Sequence, residues 1–256
     1  MKKLSVLLLV TAFFTVTLSA KPKDKSKKKN SSAVVTVAST SWSAAFADIA
    51  GIDEVKAIAP TNLRHPPEYE ITTSDVVTIN SADFFIYAGF ERMMKTLGEK
   101  LANENTQMIK IALDNSLATV KTSTEAIAKA AGTEKEQSKR FAEYETVILD
   151  ARADCEKANL TELKVFCNKN QTYLAKELGL NIAGIFGPGP LTSEQLLEAK
   201  KQGYDLIIDN VHNPVGKPVL EVVPDAKYIE WRNFPETVER NALIKVIKAN
   251  ISKLFD

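Results

Sequence analysis

The sequence predicts an α/β protein with two lobes, each built on an open parallel sheet and joined to the other by a long helical linker. Apolar runs of strand length alternate with segments of helical period on both sides of the chain's middle. These runs are nearly continuous in apolar residues, which is typical of parallel strands covered on both faces. Between the two alternations, residues 122–158 contain no proline and one glycine, which indicates a long helix or a helix pair broken at Gly132.

The first alternation predicts the N-terminal lobe, residues 33–120. Its four apolar runs are predicted strands at 33–39, 54–60, 83–89 and 107–113. Trp42, Phe46 and Ile49 recur at helical spacing after the first strand, and Gly51 supplies a stop. Two further helices are predicted at 74–82, with Ser74 as the N-cap candidate, and at 90–104.

The linker is predicted at residues 121–158 and the C-terminal lobe at 159–256. The lobe's strands are predicted at 163–167, 181–187, 204–210 and 227–231. Its helices are predicted at 170–180, at 191–203 with Thr192 or Ser193 as N-cap, and at 236–255. A cleft between two such lobes collects the carboxyl ends of strands from both, which is where ligands of open parallel sheets bind.

The N-terminus indicates export. Lys2 and Lys3 precede an uncharged apolar run that ends in small residues, so residues 1–20 are predicted to be a secretory signal and the protein to be periplasmic or extracytoplasmic. An uncleaved membrane anchor is the alternative for this stretch. Residues 21–32 are rich in lysine and serine and have almost no apolar side chain to bury, which predicts a disordered tether.

The net charge and the cysteine content limit which partners and which redox chemistry are plausible. Residues 31–256 carry a formal net charge of −6, which argues against nucleic acid as a partner because its binding rests on basic side chains. The two cysteines, Cys155 and Cys167, are close in sequence in an exported chain, so a disulfide and two buried thiols are both open.

The sequence favours a binding protein over an enzyme. It has no G-x-S-x-G, no Walker loop, no G-x-G-x-x-G after a strand and no H-E-x-x-H. An exported enzyme that uses the cleft remains the competing hypothesis, and it would need an acid–base pair there.

The chain's two histidines both fall in loops that leave predicted strand ends, one in each lobe. Pro66 and Pro67 stiffen the backbone after His65, which favours a ligand arm over an ordinary exposed loop histidine. His212 fits a ligand or ordinary turn chemistry. Metal sites combine imidazole with carboxylates, so Asp209 beside His212 and Glu68 beside His65 complete the candidate set. Trp42 is either a core residue or a stacking face for a solute.

The tract RHPPEYEITTSDVVTINSADFFIYAGFERMM resembles the N-lobe signature of the metal-type solute-binding proteins of ABC importers (cluster A-I). NQTYLAKELGLNIAGIF, YDLIIDN and YIEWRNFPET continue the likeness, which covers most of residues 33–256. The resemblance implies the class III, or cluster A, solute-binding fold, with a long linking helix that limits closure of the lobes.

The family's metal ligands are only partly matched. His65 falls on the first family histidine. The second has no counterpart, because the chain runs LDNSLATVKTSTEAI there, and the third falls on Asn168. The family's carboxylate ligand falls near Asp209 or Asn210, and His212 is a replacement candidate from a different loop.

The resemblance implies a monomeric, exported, non-enzymatic protein that captures a divalent transition metal (Zn, Mn or Fe) as its transported ligand and delivers it to an ABC permease in the inner membrane. His65, Asp209 and His212 are the expected metal ligands, and Trp42, Glu68, Asn168 and Asn210 are further expected contacts. Because the family's ligand set is incomplete, the same cleft binding a metal chelate or a small organic solute is the alternative.

Overall fold

Two four-stranded parallel sheets organise the computed structural model, which describes residues 34–97 and 105–256. The first sheet contains β1 (Thr36–Ala38), β2 (Val55–Ala57), β3 (Phe84–Tyr87) and β4 (Gln107–Lys110). The second contains β5 (Val165–Asn168), β6 (Ile182–Phe186), β7 (Leu206–Asn210) and β8 (Lys227–Trp231). The strand orders are β2-β1-β3-β4 and β6-β5-β7-β8, so the two sheets have the same topology and the predicted fold class is confirmed.

Helices connect the strands in the manner expected of parallel sheets, whose neighbouring strands need a crossover. They are α1 (Ser41–Ile49), α2 (Thr73–Asn80), α3 (Arg92–Leu97), α4 (Leu117–Ala131), α5 (Glu134–Lys157), α6 (Thr172–Glu177), α7 (Ser193–Gln202) and α8 (Ala242–Phe255). The predicted helix at 90–104 therefore appears as α3, and its second half lies outside the described residues.

Within residues 34–97 and 105–256, the buried apolar residues form three clusters. The largest packs residues of both sheets together with α1, α4, α5 and α8, and it includes Phe46, Tyr144, Trp231 and Ile247. The two smaller clusters each belong to one sheet. One is built around Phe85 and Ile79, the other around Phe166 and Ile207. Each sheet is thus covered on two faces, as its apolar strands predict.

The central segment is a helix pair and not one helix. The break falls at Gly132, which caps α4 in the left-handed conformation with φ 71°. No Cβ contact would form at that position, so the glycine serves the backbone conformation and not close packing. Of the two alternatives that the sequence left open, the pair is correct.

Two predicted helix starts are wrong, each for a local reason. Helix α2 is capped by Thr72 and not Ser74, because Thr72 and Asp75 form a reciprocal capping box. The last helix begins at Ala242 and not at 236, because Asn241 adopts a left-handed φ of 62° that the helix cannot continue through. For α7 the cap is Thr192, the first of the two candidates.

A buried ionic cluster joins α1, α5 and the start of α8. Arg140 on α5 donates to the side chain of Asp48 on α1 at 3.0 Å and to Asp53 at 2.5 Å. Asp48 also accepts from the backbone N–H of Asn241 at 2.8 Å and lies 3.3 Å from the guanidinium of Arg240. One carboxylate therefore ties together segments from both ends of the chain.

The predicted signal and tether, residues 1–20 and 21–32, lie outside the described residues. Among the helices of the described part, none has the length and apolar character needed to cross a membrane.

Cys155 and Cys167 are free, fully buried thiols. Burial raises their pKa values to about 11 and about 12, so almost no reactive thiolate forms near neutral pH. We expect neither thiol of the native protein to react with a colorimetric thiol reagent at about pH 8, and both to react once guanidinium unfolds the chain. Unfolded protein that still shows no thiol without a reductant would mean that the two cysteines are bonded.

Candidate functional site

A pocket of about 460 Å³ opens where the strands of both sheets end. Its lining residues lie at the end of a strand or in the segment that follows one: Trp42, His65, Pro67, Glu68, Phe90, Leu113, Asn170, Tyr173, Asn210, His212, Asn213, Asn233 and Phe234. Seven of the eight strands contribute such a segment, and only the loop after β6 does not. Convergence of strand ends places polar loop residues from distant parts of the chain around one space.

His212 is one of three deeply buried polar residues that line the pocket, together with Asn210 and Asn233. Its ring stacks on Phe234 with a centroid separation of 3.8 Å and an interplanar angle of 12°. Its backbone N–H donates to the side-chain oxygen of Asn210 at 2.9 Å, which fixes the loop. The residue is only 7% exposed, yet its Nε2 has no hydrogen-bond partner. A buried nitrogen without a partner is unfavourable, so a ligand that reached this nitrogen from the pocket would satisfy it.

The imidazole of His212 is neutral at physiological pH. Burial, and next the positive charge of Arg232, lower the pKa of His212 from 6.5 to about 4. A neutral imidazole keeps a lone pair free to bind a metal ion or to accept a proton from a donor.

This lowered pKa predicts a pH dependence of stability. The unfolded chain takes up a proton on His212 near pH 6.5 and the folded chain only near pH 4, so the contribution of this group is lost as the pH falls between those values. Between pH 6.5 and about pH 5 we expect a loss of about 1.5 kcal/mol in the free energy of unfolding of metal-free protein. Urea unfolding at several pH values measures it, and His212→Phe should remove this slope while it keeps the stacked ring. An equal slope in both proteins would show that other groups cause it.

His65 and Glu68 lie at the mouth of the pocket, both exposed. Residues 66–68 form a single 3₁₀ turn in which Pro66 is buried, so the two prolines anchor the arm that carries the histidine. Next to it, Arg64 donates from Nε to the backbone oxygen of His212 at 3.1 Å. The loop after β2 therefore contacts the loop after β7, and the two histidine-bearing segments meet across the pocket.

Asp209 and Asn168 lie beneath the pocket and do not line it. The carboxylate of Asp209 is completely buried, and each oxygen accepts two hydrogen bonds. Its donors are Asn168 Nδ2 at 2.9 Å, Asn210 N at 2.7 Å, Gly216 N at 2.6 Å and the hydroxyl of Tyr228 at 2.9 Å. The carboxylate thus holds both ends of the segment that carries His212.

Amide side chains form the floor. The side-chain oxygen of Asn233 accepts from Asn210 and from Gln171, both at 2.8 Å. Its amide nitrogen donates to the backbone oxygen of Asn170 at 2.8 Å, and its own backbone oxygen accepts from Asn115 at 2.9 Å. The last bond joins the loop after β4 to the loop after β8, so the floor is fixed from both sheets.

Trp42 lies between the core and the pocket. It packs against the largest core cluster and it lines the pocket. Its indole N–H donates to the side-chain oxygen of Asn115 at 3.1 Å, and its ring lies 5.9 Å from that of Phe234. Its donor is therefore used internally, and what it offers to a solute is an apolar surface.

The structure thus brings five of the seven sequence-predicted site residues into one pocket: Trp42, His65, Glu68, Asn210 and His212. Within residues 34–97 and 105–256, no group of three or more His, Cys, Asp and Glu side chains is arranged to hold a metal ion. The sequence analysis missed the aromatic residues Phe90, Tyr173 and Phe234 and the asparagines Asn170, Asn213 and Asn233. Their place after strand ends was the only available signal.

Among known proteins, this chain matches solved structures but no family model and no curated sequence. No protein-family model matches the sequence, and no curated protein matches it. Solved structures do match its fold. A Mn-bound periplasmic metal binding protein from Candidatus Liberibacter asiaticus is 17% identical and superposes with a TM-score of 0.64 over 87% of this chain and 98% of its own.

Two further structures agree. The solute-binding protein FpvC of P. aeruginosa, in complex with Ni²⁺, is 15% identical, with a TM-score of 0.65 over 86% of this chain and 94% of its own. The laminin binding protein Lmb of Streptococcus agalactiae, described as having adhesin and metal transporting activity, is 17% identical, with a TM-score of 0.66 over 87% of this chain and 98% of its own. The chain therefore has the fold of these proteins across almost its whole described length.

Proposed function

We propose that this protein is the extracytoplasmic solute-binding component of an ABC importer, that it captures a divalent transition metal in the pocket at the strand ends, and that it passes the metal to a permease. The observation that carries the proposal is that His212 lines the pocket and that its buried Nε2 has no hydrogen-bond partner. A likeness in fold to proteins solved with bound manganese and nickel supports it.

The proposed metal ligands are His212 and His65, with Glu68 as the nearby carboxylate. A neutral imidazole is a good ligand for Zn²⁺ and related borderline ions, and carboxylate oxygen suits Mn²⁺. Asp209 was also expected to be a ligand; we propose instead that it positions the His212 loop, because its carboxylate accepts four hydrogen bonds. In the same way, Asn168 positions Asp209 and Asn210 positions the backbone of His212.

A thermal-unfolding panel with Zn²⁺, Mn²⁺, Fe²⁺ and Ni²⁺ tests the proposal. A metal present at about 100 times its dissociation constant should stabilise the folded state by about 2.7 kcal/mol. His212→Phe retains the ring that stacks on Phe234 and removes the nitrogen, so it should abolish the stabilisation without unfolding the protein. His65→Ala should weaken it.

Asn62→Ala is the matched control, because Asn62 is an exposed residue of the same loop as His65 and does not line the pocket. If the wild type is stabilised neither by these metals nor by their complexes with small chelators, or if His212→Phe responds as the wild type does, the metal proposal is wrong.

A metal-free organic solute is the second candidate, favoured by the aromatic and asparagine side chains of the lining. Both candidates describe a binding protein and not an enzyme. Recovery of a bound solute in chemically altered form would instead identify catalysis in this pocket.

A further inference from the structure

The pocket is larger than a bare ion requires, and it offers few metal ligands. Its volume of about 460 Å³ falls in the range of small-molecule sites and far exceeds the roughly 30 Å³ that a water molecule occupies in the liquid. Zinc sites generally use about four ligands. In the described part of the chain, no three His, Cys, Asp or Glu side chains are arranged to hold one ion. A metal held here therefore has coordination positions that the protein does not fill and that another molecule can take.

The chemistry of the walls indicates what that molecule is. Phe90 and Tyr173 line the pocket although they are 52% and 44% exposed. They come from opposite halves of the chain, Phe90 from the segment after β3 and Tyr173 from α6. Trp42 and Phe234 add apolar ring surface deeper in the pocket. Large exposed aromatic side chains that converge on one pocket are typical of contact with an apolar or aromatic ligand.

The polar lining fits a solute whose donors are already engaged with a metal. Glu68 is the single carboxylate among the lining residues, so little protein charge is available to neutralise a dication. Asn170 and Asn213 are the outer amides of the lining, and an amide can donate to or accept from the rim of an organic molecule. A chelator that neutralises or spreads the charge of the metal removes the need for more carboxylates.

We propose that this pocket takes a divalent metal already held by a flat aromatic chelator, with the metal completing its coordination on His212 and His65 and the rings of the chelator contacting Phe90 and Tyr173. The inference rests on the proposed function and names its substrate class, because it replaces the hydrated ion with a metal complex.

Two 1:1 zinc complexes test it by isothermal titration calorimetry. One contains 1,10-phenanthroline and the other ethylenediamine. Each chelator binds Zn²⁺ through two of its nitrogen atoms, but only phenanthroline has aromatic rings. We expect the phenanthroline complex to bind at least roughly tenfold more tightly, because each aromatic contact strengthens binding by up to about tenfold. Phe90→Ala and Tyr173→Ala should each reduce that preference, which is measured as the ratio of the affinities for the two complexes. Both residues are substantially exposed, so the variants should fold normally.

The outcomes separate the two proposals. Equal affinities for the two complexes, with no effect of either aromatic variant, would overturn the chelate inference. If His212→Phe then bound neither complex, the metal proposal would still stand. Binding of neither complex nor of Zn²⁺ alone would overturn both. Both proposals would also be overturned if phenanthroline without metal bound as tightly as its zinc complex, in the wild type and in His212→Phe alike. That result would identify an organic solute as the ligand.

Discussion

Arg140→Ala is expected to lower the free energy of unfolding by about 3–5 kcal/mol, the loss typical of removing one partner from a buried ion pair. Arg140 is 5% exposed and bonds two carboxylates besides its own helix neighbour Glu136. Without it, the carboxylate of Asp48 stays buried with a weaker set of partners, and α1 loses its polar contact with α5. Urea unfolding at neutral pH, followed by circular dichroism, measures the change.

Arg152→Ala on the same helix is the matched control. Arg152 forms an i,i+4 pair with Glu156 in which both side chains are more than half exposed, and exposed pairs of this kind contribute about 0.3–0.5 kcal/mol. If burial explains the effect of Arg140, the two variants should differ greatly in their free energy of unfolding. Losses of similar size would show that the buried cluster contributes no more than a surface pair.

Asp209→Asn is expected to cost about 2–4 kcal/mol of unfolding free energy and to abolish ligand binding in the pocket. An asparagine has the same shape but only one acceptor oxygen in place of two. Its NH₂ group, which is itself a donor, would therefore face two N–H or O–H donors. The backbone N–H groups of Asn210 and Gly216, at the two ends of the His212 segment, compete for what remains. The segment should then lose its fixed position, and with it the placement of the His212 ring.

Two further variants serve as controls for Asp209→Asn. Tyr228→Phe removes one of the four donors and leaves the carboxylate, so we expect a loss of about 1 kcal/mol with binding retained. Asp225→Asn changes an exposed carboxyl in the turn before β8 and should be neutral. If Asp209→Asn were as stable as Asp225→Asn and lost only metal binding, Asp209 would be a metal ligand and not a positioning residue.

Much of the fold could be predicted because parallel strands buried on two faces leave a simple pattern. Runs such as DFFIYAG and YDLIIDN carry it, and each contains one of the observed strands. The helix starts were harder, because the cap is decided by which of several neighbouring hydroxyl groups meets its partner. Thr72, and not Ser74, lies three residues before Asp75 and closes the capping box.

The site could be located from the sequence but not assembled in detail. Successive residues of a strand point to opposite faces, so Asp209 and Asn210, which are adjacent at the end of β7, cannot both face the pocket. The sequence places both at a strand end and does not say which one turns inward. Phe90 and Tyr173 were missed for another reason: their position after a strand end was the only signal, and it does not separate an aromatic residue at a pocket mouth from one in the core.

The largest apolar cluster has a consequence for how the chain folds. It contains side chains from the first sheet, such as Ile86, together with side chains from the second, such as Ile208, packed with the helices between them. A fragment that ended near residue 120 would leave its share of this cluster facing water, and the complementary fragment would do the same. Hydrophobic burial therefore couples the two halves into one cooperative unit, so neither sheet is expected to persist when the other melts.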